Sequence, residues 1–103
     1  MTRPRMGDDM SHLIKRGSQQ PQHAPVVTRV VKPAEQLNVK LGKFHHDLPP
    51  KGFIVEYKPR IESTASVVIK IITVHIDNSD MYELVLFFAN FSQYTLTVKV
   101  WRT

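Results

Sequence analysis

From Val26 to the C-terminus the hydrophobic positions recur every second residue, the period of strands rather than helices. Val26–Lys32 is rich in β-branched residues and predicts a first strand, closed by Pro33. Leu37, Val39 and Leu41 alternate with Asn38, Lys40 and Gly42, which predicts a half-buried strand. After a loop through His45-His46-Asp47-Leu48-Pro49-Pro50-Lys51-Gly52, Phe53, Val55 and Tyr57 form one face of a third strand that ends at Pro59. Ser66–Ile76 carries Val or Ile on both parities, so much of it should be covered on both faces. Asp77-Asn78-Ser79-Asp80 has turn chemistry. Tyr82, Leu84, Leu86 and Phe88 then define a fifth strand, and Tyr94, Leu96, Val98 and Val100 a sixth.

Strands this closely spaced, with turns between them and no helical period, predict an all-β fold, a small antiparallel β-sandwich over residues 26–103. The segment Tyr82-Glu83-Leu84-Val85-Leu86, followed by a turn and a last alternating strand, resembles the penultimate strand of immunoglobulin-like or fibronectin-like sandwiches. The resemblance implies a tyrosine that pins the corner before its strand.

Residues 1–25 read differently. Pro4, Gly7, Gly17, Pro21 and Pro25 punctuate a polar segment with too little apolar surface to offset its ordering entropy, which predicts an extended arm that is disordered on its own. One island has a pattern. Asp8 or Asp9 can cap a short docking helix over 9–16 whose face is Met10, Leu13 and Ile14, with Lys15 and Arg16 in its last turn and Gly17 as a stop. About eight residues is too short for a helix that stands alone in water, so this face needs a groove to lie in.

Composition narrows the chemistry. The 103 residues include no cysteine, which removes disulfides, thiolate metal sites and cysteine nucleophiles. The basic N-terminus is not followed by an apolar h-region, so a classical signal peptide is not expected, and no apolar run approaches the roughly 20 residues of a membrane span. A cytoplasmic or particle-associated protein is the expectation. Fourteen Lys/Arg against nine Asp/Glu give a net charge of +5, spread along the chain rather than gathered in a run. Such a balance permits contact with acidic partners without demanding it.

The candidate sites are sparse. His45-His46-Asp47 is the one group of metal-type ligands, but adjacent side chains on a strand diverge, so a solvated loop is expected unless the chain bends there. Turn chemistry accounts for Asp77–Asp80 without calcium. Asn90-Phe91-Ser92 matches a glycosylation acceptor, idle without secretion. Lys70 breaks an apolar parity and is expected to face outward. Lys40, Lys43, Lys51, Lys58 and Arg60 interleave with Phe44, Phe53 and Tyr57 as in base-stacking strand faces, although the aromatic parity fits a core more simply.

The expectation is therefore a non-enzymatic accessory or structural subunit with no cofactor and no metal. Its arm would dock onto a larger protein assembly, with a virus or phage particle as the concrete guess and self-association left open. Met10, Leu13 and Ile14 would enter the partner's groove, while Arg3, Arg5, Lys15 and Arg16 meet acidic groups at its rim. The competing readings are a small basic nucleic-acid-associated β protein and a small inhibitor of a host enzyme.

Overall fold

The computed structural model describes residues 3–15, 23–60, 66–76 and 80–103. Its strands are β1 (Ile14–Lys15), β2 (Val27–Val31), β3 (Gln36–His45), β4 (Phe53–Lys58), β5 (Val67–Ile76), β6 (Met81–Asn90) and β7 (Leu96–Arg102). The last six lie where the alternation predicts them. Among the described residues no helix is long and apolar enough to cross a membrane. The fold is all-β and built from two sheets, in the orders β1-β4-β7-β2 and β3-β6-β5. Among the described strands from β2 onward, only β5 and β6 are consecutive within one sheet; every other consecutive pair is divided between the two sheets. The pairing is antiparallel except for β1, which runs parallel to β4, a departure from the all-antiparallel expectation.

Both sheets turn their apolar parity into one core. β4, β7 and β2 contribute Phe53, Leu96, Val98, Val100, Val27 and Val31, and the other sheet contributes Phe44, Ile71, Tyr82, Leu84, Leu86 and Phe88. Aromatic contacts cross between the sheets: Phe44 meets Phe53 edge-on at 6.1 Å, and Tyr57 meets Phe88 at 5.7 Å. Tyr82, the second residue of β6, is buried against Phe44, with ring centroids 6.2 Å apart. Lys70 is exposed and pairs with Phe87 in register, on the outer side of the β3-β6-β5 sheet.

Asn90, the last residue of β6, is fully buried and serves as a polar pivot. Its Nδ2 donates to the carbonyls of Val31 (3.0 Å) and Tyr94 (2.7 Å), and its Oδ1 accepts from the N–H (2.9 Å) and hydroxyl (2.6 Å) of Ser92. One side chain thereby ties the end of β2 to the β6–β7 turn. The same bonds occupy the nitrogen that glycosylation would need. Thr73 is the opposite case: its Oγ1 is buried without a hydrogen-bond partner.

These two residues predict opposite outcomes in thermal or urea unfolding. Asn90→Ala leaves buried carbonyls and an N–H unpaired and should cost about 2–4 kcal/mol. Thr73→Val removes an unpaired hydroxyl from an apolar site and should leave stability unchanged or raise it by about 1 kcal/mol.

Candidate functional site

The N-terminal arm begins with a turn. The Arg5 N–H donates to the Asp8 carboxylate (2.7 Å) and the Asp8 N–H to the Arg5 carbonyl (3.1 Å), around Gly7 at φ +82°. The chain then laces along the outer edge of β5. Gly7 N–H donates to the Thr73 carbonyl (2.7 Å), Thr73 N–H to the Asp8 carbonyl (3.0 Å), and Met10 N–H to the Ile71 carbonyl (2.7 Å). Ile71 N–H is taken by the Ser11 hydroxyl at 3.2 Å. A single 3-10 turn, Ser11–Leu13, carries the arm across to the other sheet, where Ile14 and Lys15 pair with Phe53 and Ile54.

The helix expected over 9–16 is thus one 3-10 turn followed by a two-residue strand. Eight residues hold too few internal hydrogen bonds to nucleate a helix, whereas the open edge of β5 offers partners for the same backbone groups. The apolar face is used, but within this chain: Leu13 is 7% exposed in the core, with Met10 and Ile14 packed against that core. Arg3, Arg5 and Lys15 lie on the outside, and Arg16 falls outside the described residues. Gly52 makes room for this path. A Cβ at Gly52 would stand 2.9 Å from the Leu13 carbonyl oxygen and 2.7 Å from Lys15 Cε.

Arg3 leads to a second feature. Its guanidinium pairs with the carboxylate of Asp80, the residue before β6. Because β3 and β6 pair in the register His45↔Met81, Asp80 lies beside the histidine pair. The His45 and His46 rings stack at 4.8 Å and 23°, because the chain leaves β3 in a turn closed by the Leu48 N–H on the His45 carbonyl (2.9 Å). Ligand atoms of His45, His46 and Asp80 all lie within 4.8 Å of one another. A cleft of about 240 Å³ opens here, lined in part by Arg3, His46, Asp80 and Tyr82. Burial pushes the Tyr82 hydroxyl above its ordinary pKa, so it stays protonated at neutral pH.

The histidine pair is visible in the sequence and so is the turn at Asp80, but only strand register joins them. Phe44 and Phe53, expected either in the core or as a stacking surface, are both buried. No family model, curated protein or solved structure matches this chain.

Outcomes of two kinds are expected for the arm, the first from substitutions. Leu13→Ala should lower stability by about 2–3 kcal/mol in urea unfolding, as other buried leucine truncations do, and Gly52→Ala should loosen the arm while leaving the β4–β7 pairing in place. The second outcome depends on pH. The Ser11 hydroxyl, then its N–H, and then Lys70 hold the Asp9 carboxyl below its ordinary 3.8. The support that Asp9 gives is therefore present above that value and lost as pH falls through the lowered one. Amide exchange at Met10 and Thr73 should accelerate below about pH 4 beyond the change seen in Asp9→Ala.

Proposed function

We propose that the protein is a non-enzymatic accessory or structural subunit, an immunoglobulin-like β-sandwich that acts by docking onto a larger protein assembly. The observation that supports this is the disposition of the arm. Its backbone hydrogen bonds and the Leu13 side chain belong to the body, so the arm is a fixed part of the surface. Its outer side presents Arg5, His12 and Lys15, with Met6 63% exposed beside the turn. A strip with Arg5 and Lys15 toward its ends, Asp8 and the exposed Asp9 between them and one flexible apolar side chain suits a protein surface of complementary charge with a small apolar pocket. The contact residues of this reading are Arg5, Met6 and Lys15, while Met10, Leu13 and Ile14 keep the strip in place. A virus or phage particle is the assembly proposed. Burial of Phe44 and Phe53 disfavours the nucleic-acid reading, since neither ring can stack on a base.

The test is co-purification of the full chain from its source cells, at low and at high salt, with mass spectrometry of what is retained. The double variant Arg5→Glu, Lys15→Glu should keep the parent's melting temperature and lose the partner, most clearly at low salt, where surface charges act over the longest range. Equal recovery by parent and variant rejects the reading. Recovery of nucleic acid that survives the charge reversal would favour the competing one.

A further inference from the structure

We propose that the corner between the β3–β4 loop and the start of β6 is a binding site for a divalent transition-metal ion of the zinc type, with His45, His46, Asp47 and Asp80 as its ligands and Arg3 as a built-in competitor. The inference is separate from the docking reading and rests on the convergence of ligand atoms at this corner, all within 4.8 Å of one another for His45, His46 and Asp80, and on the contacts of His46. Its Nδ1 lies 3.3 Å from the Asp80 carbonyl oxygen. A carbonyl oxygen can only accept, so Nδ1 carries the proton. In a neutral ring Nε2 then holds a lone pair, and that atom lies 3.0 Å from a carboxylate oxygen of Asp47. A lone pair against an anionic oxygen is repulsive, so a positive charge belongs between them, either a second proton or a metal ion.

The surroundings favour the metal. An Nδ1–H held by a backbone carbonyl is the arrangement that fixes the tautomer of a metal-binding histidine and aims Nε2 outward. His45 Nδ1 accepts the Asp47 N–H at 3.1 Å, a bond that an ion at that nitrogen displaces because the nitrogen has one lone pair, and it stands 3.6 Å from the other Asp47 carboxylate oxygen. Two imidazole nitrogens thus converge on one carboxylate, and Asp80 adds a second carboxylate within 4.8 Å of both rings. Two nitrogens and two oxygens suit zinc, whose tetrahedral ligands at about 2.0–2.2 Å stand roughly 3.3–3.5 Å apart. His45, His46 and Asp80 are half-buried and Asp47 is exposed. The backbone holds the frame: His46 N–H donates to the Asp80 carbonyl at 3.1 Å, and His45 pairs with Met81. Arg3 pairs with one carboxylate oxygen of Asp80, so a metal ion that binds this carboxylate competes with the guanidinium. The site therefore links metal occupancy to the first residues of the arm.

Titration of Zn²⁺ into the full chain near pH 7.5, followed by calorimetry, should show one ion bound per chain. His46→Gln and Asp80→Asn should each weaken binding about tenfold or more, the scale on which removing a ligand or its support acts. His12→Gln should leave it unchanged, and Arg3→Gln should tighten it severalfold by removing the competing cation. Circular dichroism checks that each variant folds. If His46→Gln does not, the ring ¹⁵N shifts of the parent decide, since Zn²⁺ should move those of His45 and His46 and leave those of His12 and His23 in place. Absence of Zn²⁺ binding by the parent, wild-type affinity in Asp80→Asn, or weaker binding by Arg3→Gln each overturns the proposal; the first would mean that a proton alone bridges His46 and Asp47.

Discussion

β5 lies at the edge of a three-stranded sheet, and the N–H and C=O groups of Ile71 and Thr73 are directed away from β6 to where a further strand would bind. In a protein of this size that row must be solvated, blunted or given a partner, because an open edge is a template for another chain. Here the N-terminal arm supplies the partner. By doing so it brings Leu13 into the core, places Lys15 beside β4 and carries Arg3 to Asp80. The course of the arm follows from one unsatisfied strand edge.

The remaining edges are handled by other means. β3 is bulged between Lys40 and Gly42, with Gly42 at φ +127°, and carries exposed Lys40 and Lys43. β2 places Arg29 on the parity of the buried Val27 and Val31, yet Arg29 is exposed and its guanidinium bonds the Thr28 carbonyl at 2.9 Å. A charge on the inward parity of an edge strand penalises pairing with a second edge. These devices discourage the addition of a further strand at either edge.

The corner at His45 and Asp80 depends on the same framework. β3 and β6 are long enough to hold their ends in register, so the loop leaving β3 and Asp80, the residue before β6, meet at a fixed distance. Arg3 reaches that corner only because the arm is fastened further along at Gly7 to Ser11. Edge capping and the convergence of charged groups are thus two consequences of one arrangement.

The six strands from β2 to β7 and most of the core were legible in the sequence, since two-residue periodicity is a local property that pairing does not alter. Leu84, Leu86, Val98 and Val100 could be assigned to the interior on parity alone, and Met10, Leu13 and Ile14 could be recognised as an apolar face in need of cover. What covers that face could not be read, because periodicity carries no information about which edge is left open. The local signals for a helix over 9–16 were outweighed by hydrogen bonds from residues about 60 positions away, as in the bond from Ile71 to Ser11. Asn90 and Asp80 looked like ordinary turn residues; tertiary contacts made one a buried pivot and the other a neighbour of two histidines. The sequence determined where strands form and which side of each is apolar. Strand register and the fate of the open edge, set by contacts between residues far apart in the chain, decided what those strands bring together.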